Sequence, residues 1–215
     1  MTENYQDYVF KDNKPIYKFE EMYRNCEDPW NIKKSIDKSI DYELILAYIR
    51  NYKNKFQKEK IDILEIGCGK GHFSKKLINF GKVCGIDISP TAIEYAKNNN
   101  PDAEFYCIDI KSNNFKLLKK FDFVIFFRVI WYVIDYLDIC LKNINSVLKP
   151  EARMIFDINF YQGNYYGKNI ISNKNDFVKI LKKYFSIIES IDHYNEQTNF
   201  NDFSFIICAP QISNL

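Results

Sequence analysis

The sequence predicts an α/β fold with a mostly parallel sheet, and three observations carry that expectation. Residues 61–74, I-D-I-L-E-I-G-C-G-K-G-H-F-S, pass from a short apolar run through glycines at alternate positions into a helical apolar pattern of Phe73, Leu77, Ile78 and Phe80. Further apolar runs recur at 82–87, 104–110, 121–127 and 153–160, with helical spacing over 90–99 and 133–148 between them. The run F-D-F-V-I-F-F over 121–127 is the most apolar and belongs in the centre of a sheet.

The totals bound the rest. With 215 residues, 47% hydrophobic and 17% aromatic, the chain has the size and composition of one folded domain with a small N-terminal extension. Residues 1–55 read as an arm and helical lid, and residues 56–215 as the main domain. A net charge of +2 argues against a broad electrostatic footprint for nucleic acid. The six cysteines form no C-x-x-C pair and sit mostly in apolar runs, where free Cys behaves as a small hydrophobe. A reduced, cytoplasmic protein is expected, monomeric or homodimeric, with no signal peptide and no run approaching a membrane span.

In chain order, residues 1–15 are polar and aromatic without a period and read as a loose arm. Phe19, Met22 and Tyr23 suggest a short helix, and Glu27-Asp28-Pro29-Trp30 a turn. Ile32, Ile36, Ile40, Leu44, Ala47 and Tyr48 predict one amphipathic helix over 32–50. Lys53 to Lys60 reads as a solvated linker. Trp30 is either a packing anchor for this helix or a lid over a ligand.

The spacing within the glycine turn bears on the ligand. A dinucleotide fingerprint, G-x-G-x-x-G, requires glycine at position 72, which is His. Glu65, at the end of the strand, would repel a phosphate and suits a ligand that carries an ammonium. With these residues, E-I-G-C-G-K-G over 65–71, the sequence resembles the class I S-adenosylmethionine-dependent methyltransferases, matching that family's first motif. The resemblance implies a Rossmann-like fold, a seven-stranded mostly parallel sheet with an antiparallel last strand and helices on both faces. It also implies S-adenosyl-L-methionine as cofactor and S-adenosyl-L-homocysteine as product, held by Glu65, Gly67, Cys68, Gly69 and Gly71.

Asp87 ends the second strand, at the distance from the first glycine where a carboxylate accepts hydrogen bonds from ribose hydroxyls. Ser89-Pro90 supplies the cap and first turn of the next helix, with Ile93 and Ala96 inward. Asp109 follows the third strand; in the resembling family an acid here accepts from the adenine amine, with Ile88, Ile108 and Ile110 as apolar neighbours of the ring. Arg128, Trp131 and Tyr132 follow the fourth strand and by the same resemblance border the methyl-transfer pocket. Arg128, unusual beside a sulfonium, reads as paired within the protein. The stretch 161–168, Y-Q-G-N-Y-Y-G-K, has the composition of an acceptor-facing loop. A helix over 175–184 and strands near 187–194 and 203–209, joined by a loop over 195–202, complete the chain.

The segment D-P-W-N-I-K-K-S over 28–35, with Tyr42, Leu44, Leu46 and Ala47, is similar to the N-terminal part of the nodulation-type N-methyltransferases that modify chito-oligosaccharides. That resemblance implies a lid containing Trp30. Ile36, Asp37, Ile40 and Asp41 stand where those enzymes carry aromatic and basic residues, so acceptor specificity is not implied. Methyl transfer from a sulfonium asks mainly for alignment. A hydroxyl acceptor adds the need for a base, for which His193 and Tyr132 are the candidates, with His72 and Asp157 behind them. Catechol-type methyltransferases hold a metal with acids after the fourth strand and an adjacent Asp-Asn after the fifth; Arg at 128 and the separation of Asp157 from Asn159 depart from that pattern, so no metal is expected. The acceptor expected is small, a sugar or a surface-polysaccharide or nucleotide-linked precursor methylated on O or N. The alternatives are RNA or another small metabolite as acceptor, or a cofactor-binding partner subunit without turnover.

Overall fold

The structure is a computed structural model that describes residues 5–12, 14–117, 119–195 and 200–211. The chain divides into two compact units, Met1–Asp109 and Ile110–Leu215.

The first unit opens with helix α1 (Gln6–Val9) and a minimal hairpin, β1 (Phe10–Lys11) against β2 (Lys14–Pro15). Part of the expected loose arm is thus ordered, while Met1 to Asn4 lie outside the described residues. Helix α2 (Phe19–Asn25) buries Met22 and Tyr23, three and four residues beyond Phe19 as helical spacing predicts. The single helix expected over 32–50 is instead two, α3 (Ile32–Ser35) and α4 (Ile40–Lys55). Ser35, Asp37 and Ser39 explain the break, because their short polar side chains favour turns and caps over helix interiors. Ser39 is extended, at φ −85° and ψ 124°. Helix α4 buries Tyr42, Ile45, Leu46, Ile49 and Tyr52 and runs on through Lys53, so the expected linker begins later; Lys53 Nζ donates to Phe80 O at 3.0 Å.

Strand β3 (Ile61–Ile66) pairs in parallel with β4 (Gly81–Asp87), and β4 with β5 (Glu104–Cys107). Between β3 and β4 the helix is a single turn, α5 (Ser74–Leu77), shorter than its apolar pattern suggested, because Phe73 and Leu77 already bury its inner face before Gly81 starts the next strand. Helix α6 (Pro90–Asn99) has the predicted bounds, with Ser89 Oγ accepting from Ala92 N at 3.1 Å and Ala92, Ile93 and Ala96 buried.

In the second unit β6 (Phe121–Phe126) is buried along its whole length. The helix predicted over 133–148 is two 3₁₀ turns, Ile130–Tyr132 and Ile134–Tyr136, followed by α7 (Leu137–Ser146). Strand β7 (Leu148–Asn159) begins ahead of the apolar run at 153–160 and takes in Lys149-Pro150, directly after the expected helical spacing. The register shifts between Phe121 and Phe123 of the facing strand, so the proline sits at an irregularity where a lost N–H costs little. Helix α8 (Lys174–Leu181) is capped by Asn173, whose Oδ1 accepts from Asn175 N and Asp176 N. Strands β8 (Phe185–Asn195) and β9 (Phe200–Pro210) form the expected hairpin, paired out to Asn195 and Phe200; residues 196–199 lie outside the described residues. Strand β9 is antiparallel to both β7 and β8. The core of this unit is aromatic, with Phe156 packed edge-on to Phe126 at 5.7 Å and to Phe177 at 6.0 Å.

The seven longer strands form one sheet in the order β5-β4-β3-β6-β7-β9-β8, with β6 in the centre as its composition required. Gly81 fixes where β4 starts, since a Cβ added there would lie 1.9 Å from Ile61 O of the neighbouring strand. Backbone cannot give way as a side-chain tip can. Gly81→Ala is therefore expected to lower the unfolding free energy by about 1–3 kcal/mol, as overpacking does. Urea denaturation checks it, and an unchanged midpoint would show that the strand end can shift freely.

Candidate functional site

The C-terminal ends of β3 and β4 place two carboxylates side by side in the first unit. Glu65 is the fifth of the six residues of β3 and Asp87 the last of β4, and each is less than a tenth exposed. Asp87 is held by backbone donors: Oδ2 accepts from Gly69 N at 2.9 Å and Oδ1 from Ser89 N at 3.0 Å. Glu65 accepts a short hydrogen bond from Ser74 Oγ. Burial pushes the Glu65 carboxyl up to about 8; the Ser74 hydroxyl opposes the rise and the neighbouring Asp87 adds to it. Burial also raises Asp87, against the N–H groups that stabilise its ionised form.

The glycine turn between them is folded on itself. Gly67 N and Cys68 N both donate to Ile86 O, at 2.8 and 3.0 Å, and Gly71 N donates to Cys68 O at 3.0 Å. With Gly69 N bound to Asp87, four of the turn's N–H groups are used within the protein. With those donors used and two carboxylates at the adjacent strand ends, the surroundings suit a cation and not a phosphate. Gly69 is at φ +52°, and a Cβ there would stand 2.7 Å from the Tyr23 hydroxyl. Only a residue without a side chain lets α2 come this near the turn.

The Cys68 side chain points into the core with Ile93, Ala96 and Phe105, and burial pushes its thiol well up, so its part in any site is through the backbone. Ile88 is exposed just beyond Asp87, and Asp109 is half-buried beyond the end of β5. His72 is half-buried, and burial lowers its imidazole.

The N-terminal segment closes on this turn at several points. Trp30 Nε1 donates to the Tyr23 hydroxyl at 3.1 Å, and the Trp30 ring lies 4.7 Å from that of Tyr5. Lys70 Nζ, within the turn, donates to Cys26 O at 2.9 Å and Glu27 O at 2.7 Å. Asp28 caps α3 by accepting from Ile32 N and Lys33 N, both at 2.9 Å. Trp30 is thus packed on Tyr23 and Tyr5, and it is Tyr23 that stands beside Gly69. Tyr23 was missed as a site residue: its helical spacing marked it only as buried, and nothing local in the sequence ties it to Gly69.

The second unit holds the remaining candidates. Arg128, just past β6, is in the left-handed region at φ +59°, which costs a non-glycine residue roughly 1–2 kcal/mol. The buried carboxylate of Asp157 on β7 holds it there, accepting from Arg128 N at 2.5 Å. Asp157, a candidate base, therefore serves the backbone of the loop after β6. The Arg128 guanidinium lies over the Phe127 ring at 4.8 Å. Ile110 is buried and Tyr132 half-buried in the first 3₁₀ turn. Trp131 Nε1 donates to Asn159 O at 3.0 Å, and its ring meets Tyr165 edge-on at 5.3 Å and Tyr161 at 6.0 Å. This aromatic group joins the loop after β6 to the loop after β7. His193 is exposed on the sheet-edge strand β8, stacked on Phe203 at 4.9 Å, and is separated from Tyr132 by β7 and β9. Among the described residues no group of three His, Cys, Asp or Glu side chains could hold a metal ion.

Comparison with known proteins agrees with this geometry. Residues 57–203 match the methyltransferase domain family. An uncharacterized methyltransferase of Oceanobacillus iheyensis is 26% identical over 82% of this chain and 90% of its own length. A putative methyltransferase of Invertebrate iridescent virus 6 is 32% identical over 58% of this chain. A malonyl-[acyl-carrier protein] O-methyltransferase of Acetivibrio thermocellus is 40% identical over 32% of it. The chain spans only 46% and 25% of the length of those last two relatives. Among solved structures, the N-methyltransferase NodS of Bradyrhizobium japonicum WM9 in complex with S-adenosyl-L-homocysteine superposes with a TM-score of 0.68 at 18% identity, over 91% of this chain and 98% of NodS, a likeness of fold. With more than half of its length matched, the chain belongs to the methyltransferase domain family.

Proposed function

We propose that this protein transfers a methyl group from S-adenosylmethionine to an oxygen or nitrogen of a small acceptor, a sugar or sugar-linked precursor, without a metal. The observation that supports the cofactor half most is the pair of buried carboxylates at adjacent strand ends, beside a turn whose N–H groups are already used. The cofactor, when bound, supplies a methyl group activated by the positive sulfonium. The protein's residues then have holding roles. Asp87, fixed by Gly69 N and Ser89 N, keeps further lone pairs for two ribose hydroxyls. Glu65 faces the ammonium of the methionine part. Gly67, Cys68, Gly69 and Gly71 shape the turn with their backbone. Asp109 accepts from the adenine amine, Ile88 and Ile110 flank the ring, and Trp30 covers the turn. Arg128 and Tyr132 lie on the loop that would border the transferred methyl.

The acceptor reading rests on the second unit. Trp131, Tyr161 and Tyr165 offer ring faces of the kind that pack on sugars, and the indole is locked in place by Asn159 O. NodS is an N-methyltransferase, and its likeness covers nearly the whole chain. The malonyl-[acyl-carrier protein] relatives favour a second reading, O-methylation of an acyl carboxyl group. Labelled donor offered with nucleotide sugars, sugar phosphates, chito-oligosaccharides, amines, acyl thioesters and RNA separates them. Turnover is expected on a sugar, and Trp131→Ala is expected to raise that acceptor's KM about tenfold with the donor's KM unchanged, in keeping with the worth of one aromatic contact. Turnover on the acyl thioester or RNA alone would replace the sugar reading.

Asp87→Ala is expected to weaken S-adenosylhomocysteine binding about a hundredfold or more, since two hydrogen bonds to a charged group are lost. Calorimetry reads this directly, and unchanged affinity would remove the ribose assignment.

Glu65 gives the site a pH dependence. Its carboxyl titrates at about 8 without ligand, so at pH 6.5 it is mostly protonated and neutral. An ammonium ligand binds the ionised form. Affinity should therefore rise with pH by up to about tenfold per unit below 8 and level off above it, as expected for release of one proton on binding. Glu65→Gln should flatten the profile between pH 6.5 and 8.5. A flat profile in the unaltered protein would place the ammonium elsewhere.

A further inference from the structure

Helix α2 contributes a third carboxylate beside Asp87, and nothing in the glycine motif accounts for it. Glu20 reaches the first turn of α6 across a sequence gap of about seventy residues. Its Oε2 accepts from Ser89 Oγ at 2.6 Å and from Thr91 N at 3.2 Å, and its Oε1 accepts from Thr91 Oγ1 at 2.7 Å. Arg24, one turn along α2, pairs with Glu20 Oε1 at 2.9 Å. Burial acts to raise this carboxyl, but the bonds from Ser89 and Thr91, with Arg24, outweigh it and hold it at about 2. It is therefore ionised throughout the range in which the protein would work.

Ser89 links this group to the site. Its N–H donates to Asp87 Oδ1 while its hydroxyl donates to Glu20 Oε2 and accepts from Ala92 N. Glu20 thus fixes the rotamer of a residue whose backbone fixes Asp87. The same helix carries Tyr23, whose hydroxyl rests on Gly69, and leads into Cys26 and Glu27, whose carbonyls hold Lys70. These contacts between the N-terminal segment and the cofactor turn come from α2 and the residues directly after it, the element that Glu20 anchors.

We propose that Glu20 is a positioning residue for cofactor binding: it latches α2 to the first turn of α6, so that Asp87 is held in its binding rotamer and the Tyr23–Trp30 cover is held over the glycine turn. This rests on the methyltransferase reading of the site. The latch contributes to retention of the cofactor and not to the chemical step. Removing it loosens the cover and lets the cofactor leave faster.

The test compares the full chain with Glu20→Ala, Glu20→Gln and Thr91→Val. The readouts are S-adenosylhomocysteine affinity by calorimetry, its dissociation rate by stopped flow using Trp30 fluorescence in a Trp131→Phe background, and thermal midpoint. Glu20→Ala is expected to weaken binding by about tenfold or more, as loss of hydrogen bonds to a charged group does, mostly as faster dissociation. With S-adenosylmethionine and any working acceptor, KM for the donor should rise while kcat holds. Thr91→Val, which alters the other side of the latch, should show a smaller effect of the same sign. Glu20→Gln should fall between unaltered protein and Glu20→Ala, since an amide can still accept through one oxygen. A loss of thermal midpoint with affinity and dissociation rate unchanged in all three variants would overturn the proposal and leave Glu20 a helix cap. If the unaltered protein bound no S-adenosylhomocysteine, the cofactor reading itself would fail, a result distinguishable from failure of the latch.

Discussion

The constraint on which the first unit depends is the need to keep two carboxylates, Glu65 and Asp87, buried and adjacent. A buried charge is tolerated only when paired or hydrogen-bonded. Asp87 meets the condition through N–H groups from Gly69 and Ser89, which is why the glycine turn and the cap of α6 have the shapes they have. Glu65 has the Ser74 hydroxyl and otherwise yields its charge, its carboxyl standing at about 8. In the proposed function, a positive ligand beside Glu65 would favour the ionised form that burial disfavours.

From this follows the role of the N-terminal segment. Its short helices α1, α2 and α3 are too brief to be stable alone, since helix nucleation is costly and isolated helices need a dozen residues or more. They owe their order to what they touch. Glu20 on Ser89 and Thr91, Tyr23 on Gly69, and Lys70 on the carbonyls of Cys26 and Glu27 are all contacts with the turn or the helix that frame Asp87. The segment and the site therefore share their stabilising interactions, and a change in one is felt in the other.

Much of this was legible in the sequence, where the signal is local. The strand at 61–66, its glycines, Asp87 and the Ser89-Pro90 start of α6 each declare themselves within a few residues, through apolar period, φ requirement or capping chemistry. The central position of β6 followed from its apolar run. What was hidden depends on distant partners. Glu20 reads as an exposed helix residue with Arg24 one turn away, and Tyr23 as core, because the residues that give them meaning lie some fifty to seventy positions on. The break between α3 and α4 was present in Ser35, Asp37 and Ser39 but masked by apolar residues that keep helical spacing across it. The early start of β7 was masked by Pro150, a residue that usually closes elements and here sits where the strand's register slips.

The second unit shows a different economy. A sulfonium methyl is already electrophilic, so the acceptor side has to align a nucleophile more than to activate it. That loosens the demand for a fixed acid–base pair; of the sequence's candidate bases, Asp157 accepts from Arg128 N and His193 stacks on Phe203 at the sheet edge. What the loops after β6 and β7 supply is rigidity. Arg128 is held in a strained conformation by a buried carboxylate, and Trp131 is tied by its indole N–H to Asn159 O and braced by Tyr165. Strain of this kind persists only where surrounding structure determines it, and it collects where geometry matters to function. Rigid aromatic surface is what recognition by shape requires. An amine acceptor, which needs only to arrive deprotonated, would ask nothing more of these loops, whereas a hydroxyl would still have to find its base.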